Sequence, residues 1–310
     1  MGKIVVTGAN GFLGANLVKE FLENGHDVWV VLRPESKKSD VFPTDKETLH
    51  FIRCTYTDTE ILKSAIGIAD GWFHFAWGGV NREEIDSPLV QEKNVEMSMA
   101  ALDAAHELGC SVFMDAGSRV EYGITSDGIM SEEMFCNPVN EYGKAKLRFY
   151  EKARVKCVAY GMKYCHLRFF SVYGYGDHPW SIISTLLRDL QEGKKVSLSA
   201  CRHKWNFMYI KDAMEAVYKL YLSVGKNNIN DDIFNIASGD TRELKSFVNE
   251  IYQILGERGE LEFGTFKQAK EGALSIIPNI ERIKTTAEWK ERYTFHDGII
   301  ETLECEKANR

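Results

Sequence analysis

Lys3-Ile-Val-Val-Thr-Gly8-Ala-Asn-Gly11-Phe-Leu-Gly14 is the stretch whose reading decides the fold. It opens on a short β-branched apolar run, the pattern of a buried strand. Three glycines follow as Gly-x-x-Gly-x-x-Gly. Leu13, Leu17, Val18, Phe21 and Leu22 then recur at helical spacing, and Asn24-Gly25 closes the stripe as a C-cap would. Val28-Trp-Val-Val-Leu32 reads as a second buried strand. Strand, glycine turn, helix and strand within about 30 residues make the βαβ context in which such glycines bind a dinucleotide. The expected reason is steric. Pyrophosphate sits against N–H groups at a helix N-terminus. A Cβ at Gly8 or Gly11 would hold the phosphates away, and Gly14 lets the helix approach the sheet.

Alternation continues beyond this unit. Strands are predicted at 49–54, 71–77, 111–115 and 164–170, and helices at 59–69, 87–108 and 142–160. Such alternation implies α/β architecture, a Rossmann-type doubly wound parallel sheet with helices on both faces and ligands beyond the strands' carboxyl ends. After residue 170 the pattern loosens. Helices are expected at 180–191, 212–222, 243–255, 278–287 and 296–305, with strands at 205–210, 234–237 and 261–263. The expected organisation is a dinucleotide-binding domain over 1–171, to which 205–238 returns, and a smaller C-terminal α/β substrate lobe over 172–310.

Composition narrows the function. Net charge is −7, which gives no electrostatic drive toward nucleic acid or an anionic membrane. The seven cysteines are scattered and include no Cys-x-x-Cys, which argues against a zinc site or disulfide framework and for a reducing compartment. No metal is expected. The first strand starts at Lys3, leaving no room for a signal peptide, and no apolar run approaches the ~20 residues of a membrane span. A soluble, cytoplasmic protein is expected.

Tyr142-Gly-Lys-Ala-Lys146 carries the chemistry. A four-residue spacing puts both side chains on one helix face, and of the 13 tyrosines only Tyr142 has a lysine four residues on. The ammonium is expected to lower the phenol's pKa, so that Tyr142 exchanges a proton with a hydroxyl or carbonyl during hydride transfer. Ser118, just beyond the fifth strand, can donate to the same oxygen. The second strand ends Val30-Val-Leu32-Arg33 without an acid. An acid there binds the ribose 2′-hydroxyl of NAD, whereas an arginine accommodates the NADP phosphate. NADP(H) is therefore favoured, with NAD(H) the alternative.

The glycine spacing resembles that of the short-chain dehydrogenase/reductase superfamily. Taken with His74-Phe-Ala76, Asn94-Val95, Ser118 four residues before Tyr122-Gly123, Leu167 to Gly174, Phe207 to Asp212 and Phe234 to Gly239, nearly the whole chain resembles its extended NAD-dependent epimerase/dehydratase family, which acts on nucleotide sugars. The resemblance implies catalysis by Ser118, Tyr142 and Lys146. It places the cofactor against Gly8, Asn10, Gly11, Phe12, Leu13, Gly14, Arg33, Thr55, Tyr56, Phe75, Ala76, Trp77, Asn94, Ala116, Tyr142, Lys146 and Phe169. Substrate contacts would come from Gly79, Ser118, Arg119, Ser171, His178 and Trp180. It also implies a homodimer through the two long helices.

The departures from the family pattern narrow the activity. Arg119 and Val120 stand where dehydratases of the family carry Asp and Glu, so 4,6-elimination is not expected. Trp205 stands where many members have an arginine that grips the diphosphate, leaving Lys204, Arg202 and Lys267 as candidates. The expected activity is NADPH-dependent reduction of a 4-keto sugar nucleotide. The alternatives are a NAD-dependent nucleotide-sugar 4-epimerase and, from another class, a non-catalytic nucleotide-sensing domain.

Overall fold

The computed structural model describes all residues except 37–41, 43–45, 82, 126–127, 225–231, 267–273 and 310. Lys37, Lys38 and Lys267 lie outside the described residues. The first half runs β1 (Lys3–Thr7), α1 (Phe12–Glu23), β2 (Asp27–Leu32), β3 (Leu49–Arg53), α2 (Thr59–Ile66), β4 (Gly71–His74), α3 (Pro88–Glu107), β5 (Val112–Ser118), β6 (Ile129–Met130), α4 (Glu141–Tyr160) and β7 (Lys163–Phe169). The second half runs β8 (Ser171–Tyr173), α5 (Ile182–Gln191), β9 (Lys195–Leu198), β10 (Lys204–Tyr209), α6 (Ile210–Val224), β11 (Asp232–Ile236), β12 (Thr241–Glu243), α7 (Leu244–Ile254), β13 (Glu260–Phe263), β14 (Ile277–Pro278), α8 (Glu281–Thr286) and α9 (Phe295–Ala308).

Seven strands form one parallel sheet in the order β11-β7-β5-β4-β1-β2-β3. The chain direction across the sheet reverses between β1 and β4, so their carboxyl ends open the crevice where ligands of such sheets bind. Both faces are covered, and the strands show it. Ile4 and Val6 enter one apolar cluster with Leu17, Val18 and Phe21 of α1. Val5 enters the other with Ala101, Ala104 and Ala105 of α3 and Ala145, Phe149 and Ala153 of α4. Alternate residues facing opposite layers explain why these strands read as continuous apolar runs.

Of the expected return to the sheet by 205–238, β11 pairs with β7. β10 does not join the sheet. It pairs parallel with β8 and antiparallel with β12 in a separate three-stranded sheet. Five short strands, β6, β8, β9, β12 and β14, were not predicted. They are two to four residues long, too short for a period to show. Among the described residues no helix is long and apolar enough to cross a membrane.

Candidate active site

The turn after β1 shows which glycines the fold itself needs. Gly8 has φ +70°, and a Cβ there would lie 2.3 Å from the Phe75 carbonyl carbon. A Cβ on Gly14 would lie 2.4 Å from the Gly8 carbonyl oxygen. Both glycines therefore serve close backbone packing, a reason for Gly8 that the sequence reading did not give. Gly11 differs: a Cβ there would meet only the Gly8 oxygen, at 3.3 Å. Gly11 is the N-cap of α1, has no side chain to cap it, and is exposed together with Asn10. The first N–H groups of α1, on Phe12, Leu13 and Gly14, thus have no side-chain partner. An uncapped, dipole-bearing helix start beside an open glycine fits a dinucleotide's pyrophosphate.

The walls of the crevice come from the ends of β4, β5 and β7. Phe75, Ala76 and Trp77 are partly exposed, and Phe75 meets Phe169 edge-on at 5.6 Å. His74 is buried; its Nδ1 lies 2.8 Å from Thr7 Oγ1 and its Nε2 2.9 Å from Ser98 Oγ. Burial pushes its pKa down to about 3, so it is a neutral tie between β1, β4 and α3. Asn94 clamps Gly78, donating to its carbonyl and accepting from its N–H, both at 2.9 Å. Its amide therefore holds the loop after β4. Gly79 is held similarly, its carbonyl accepting from Gln91 Nε2 at 2.8 Å. Tyr56 is buried beneath the crevice, edge-on to Trp72 and His74, as a core residue. Thr55 beside it is half-buried, with its N–H on Asp58. Arg33 is exposed after β2 and pairs with Glu35 at 3.4 Å.

Asn140 caps α4, accepting from the Gly143 N–H at 2.8 Å, and Gly161 closes the helix at φ +67°. Tyr142 thus stands in the first turn and Lys146 one turn later. Lys146 is buried, donates to the Ala116 carbonyl at 2.6 Å and lies 3.7 Å from the centre of the Trp77 ring. Burial lowers its pKa to about 8, against the pull of Asp115 and Glu121. Its ammonium is 5.7 Å from the centre of the Tyr142 ring. Burial pushes the Tyr142 phenol up to about 12; the Ser118 hydroxyl and the Arg119 charge draw it down. The expected depression of Tyr142 by Lys146 is thus corrected: burial raises the phenol, and the downward pull comes from Ser118 and Arg119.

Ser118 ends β5 and caps the 3-10 turn Arg119–Tyr122. Its Oγ accepts from the Val120 N–H at 3.4 Å, and Glu121 Oε1 accepts from the Ser118 N–H at 2.6 Å. Behind this turn lies a buried charge network. Glu121 Oε2 accepts from His166 Nε2 and Arg168 Nε, each at 2.9 Å. His166 Nδ1 lies 3.0 Å from both Asp115 oxygens, and the Tyr164 hydroxyl donates to Asp115 at 2.8 Å. His166 and Arg168 hold Glu121 down at about 2 against burial, and the two carboxylates raise His166 to about 9. Sequence reading missed this network because it depends on register, which places Asp115 opposite His166. The available signal was three ionisable residues inside otherwise apolar central strands.

Beyond β8 opens a cavity of about 270 Å³, lined by Ser171, Asp177, Ser181 and Trp205 among others. Ser171 is where it was expected. His178 and Trp180 are not in the lining: both are exposed and stack on each other at 4.5 Å. The loop instead presents Asp177 and Ser181 inward. Lys204 and Arg202 are exposed. A second cavity of about 370 Å³ lies on the other side of Tyr173 and Phe207, lined by Arg292 and Glu291, and reaches none of Ser118, Tyr142 and Lys146.

Residues 4–237 match the model of the NAD dependent epimerase/dehydratase family. The chain belongs to that family. It is an NAD(P)-dependent enzyme of the extended short-chain dehydrogenase/reductase type. It is 29% identical to a UDP-glucose 4-epimerase of Lactobacillus helveticus, over 97% of this chain and 95% of the relative. It is 24% identical to a dTDP-4-dehydro-6-deoxyglucose reductase of Escherichia coli, over 97% and 98%. A UDP-glucose 4-epimerase from Thermotoga maritima, solved with UDP-glucose, shares the fold with a TM-score of 0.84 at 20% identity, over 99% of both chains. The Tyr142 phenol, the Ser118 hydroxyl and the Lys146 ammonium converge at the carboxyl ends of β4 and β5.

Proposed function

We propose that this enzyme reduces the 4-keto group of a nucleotide sugar with NADPH. The observation that carries the reading is Arg33, an exposed guanidinium directly after β2, a strand that ends on Leu32 with no acid to bind a ribose 2′-hydroxyl; the nearby Glu35 carboxylate is paired with Arg33 itself. NADPH, when bound, supplies the hydride. Gly11 and the N-terminus of α1 would hold its pyrophosphate, and Arg33 its 2′-phosphate. The Tyr142 phenol, held protonated by burial, gives its proton to the carbonyl oxygen. The Ser118 hydroxyl, whose oxygen already accepts from the Val120 N–H, donates to that same oxygen. Lys146, buried against Trp77 and Ala116, supplies positive charge beside the phenol as it loses its proton. Glu121 does not provide an elimination acid, because its oxygens are taken by Ser118, His166 and Arg168. That argues against 4,6-dehydration. The elements after residue 172, apart from those returning to the sheet, would form the substrate lobe. A homodimer through α3 and α4 fits the exposed Leu89, Val155 and Val158 on those helices.

The second reading is a 4-epimerase, favoured by the likeness to the UDP-glucose 4-epimerase of Lactobacillus helveticus. One pair of assays separates them. A 4-keto-6-deoxy nucleotide sugar with NADPH should give stoichiometric loss of the reduced nicotinamide. Inversion at C4 of a nucleotide hexose without added cofactor, with no NADPH loss in the first assay, would establish the epimerase instead.

A further inference from the structure

On the nucleotide-sugar reading the cavity beyond β8 would receive an anion, and among the described residues its lining holds no cation. A nucleotide sugar brings a diphosphate, and the lining residues include no lysine or arginine. Arg202 and Lys204 are exposed and stand outside the lining, and four other arginines are engaged. Arg168 is on Glu121, Arg188 on Asp189, Arg242 on Asp240 and Glu250, and Arg292 on Glu215. Arg119 is placed differently. It follows Ser118 in the 3-10 turn whose backbone the Ser118–Glu121 capping box holds. Its guanidinium carbon lies 5.1 Å from the centre of the Trp205 ring, and Trp205 is itself part of the cavity wall. Among the described residues no carboxylate forms a salt bridge with it. Its side chain is largely covered and keeps some exposure.

We propose that Arg119, stacked on Trp205, is the residue that grips the substrate's diphosphate. The proposal rests on the nucleotide-sugar reading above. A guanidinium lying over an indole face keeps its edge free, and that edge matches phosphate oxygens as a bidentate donor. Asp177 sets the opposite polarity. Its carboxylate lines the same cavity and accepts from the His178 N–H at 2.7 Å. An anion is therefore favoured at the Trp205 end and disfavoured at the Asp177 end. Burial also lowers the Arg119 pKa, to about 10, a cost that an arriving anion relieves. The arrangement runs from Ser118 at the reacting carbon to Arg119 at the phosphates within two consecutive residues. The chain thereby ties chemistry and phosphate recognition to one rigid turn.

The test is calorimetric titration of the cofactor-loaded enzyme with UDP, dTDP, CDP, GDP and ADP, and with the nucleoside matching the tightest of them. The wild type, Arg119→Gln and Arg119→Lys are compared, each first shown to bind NADPH. The expected result is that Gln weakens the diphosphate about 10- to 100-fold while the bare nucleoside changes less than about threefold, and that Lys recovers part of the loss. With full substrate, KM should rise by a larger factor than kcat falls. Added salt should weaken the wild type more than Gln. Unchanged diphosphate affinity in Gln, or a loss seen with UDP-glucuronic acid but not with UDP-glucose, overturns the assignment; the second result would move the arginine's ligand to a sugar carboxylate. If the wild type binds none of the five diphosphates, the nucleotide-sugar reading falls and this proposal with it.

Discussion

The Tyr142 phenol sits in an environment that favours its protonated form. Burial holds its pKa near about 12, while Ser118 and Arg119 pull downward. A donor of that kind suits protonation of a ketone. Tyr142→Phe should keep NADPH affinity within about threefold and lower turnover ~10²–10⁴-fold; retention of a tenth of wild-type turnover would remove Tyr142 from the chemistry. Behind Ser118, the Glu121–His166 pair makes a stability prediction with a definite sign. Glu121 is lowered from 4.5 to about 2, so its contribution is present above 4.5 and lost as pH falls through 2. His166 is raised from 6.5 to about 9, so its contribution is present below 6.5 and lost as pH rises through 9. Breaking a buried pair costs roughly 3–5 kcal/mol. Glu121→Gln should therefore lose about that much in urea unfolding at pH 6, and the gap to wild type should narrow at pH 9. A gap that ignores pH would mean lost packing alone.

The two later glycines of the turn are crowded to different degrees. The approach of α1 to β1 leaves no room at Gly14, where a Cβ would sit 2.4 Å from the Gly8 oxygen, whereas at Gly11 it would meet that oxygen alone, at 3.3 Å. Gly14→Ala should push the helix off the turn and cost about 3 kcal/mol. Gly11→Ala should change stability by less than about 1 kcal/mol yet weaken NADPH at least tenfold, because its methyl enters the phosphate space. Thermal melts with a nicotinamide fluorescence titration read both effects; equal behaviour of the two variants would contradict the assignment. α4 shows the same economy. Asn140 fixes its start, so Tyr142 falls in the first turn at the crevice mouth and Lys146 one turn deeper beneath Trp77.

The seven-stranded sheet brings together residues from opposite ends of the first half. Arg33 stands at the end of β2, on one side of the reversal between β1 and β4, and Ser118 ends β5, on the other. A cofactor crossing that reversal would span both. Arg33→Asp should shift preference from NADPH toward NADH by at least tenfold in the ratio of dissociation constants; an unchanged ratio would show that Arg33 does not read the 2′-phosphate. The exposed apolar residues of α3 and α4 bear on assembly. Light scattering should give twice the 35.3 kDa chain mass, and Val155→Asp with Val158→Asp should give the monomer. A wild-type monomer at micromolar concentration would remove the dimer.

The sequence alone determined the parallel sheet, the glycine turn and the Tyr142–Lys146 helix, because each rests on local periodicity or short spacing that a chain displays in order. β1, α1, β2, α3 and α4 lie within a few residues of their predicted bounds for that reason. Ser118 was legible as a residue beyond a strand, but its capping by Glu121 was not. Tertiary structure alone decided the rest. Strand register set Asp115 against His166. The loop after β8 turned His178 and Trp180 outward and Asp177 inward. β10 joined a small sheet, which brought Trp205 beneath Arg119 from 86 positions away in the chain. Pairing, register and stacking between distant segments depend on which surfaces meet once the core closes, and no local pattern in the chain encodes that meeting.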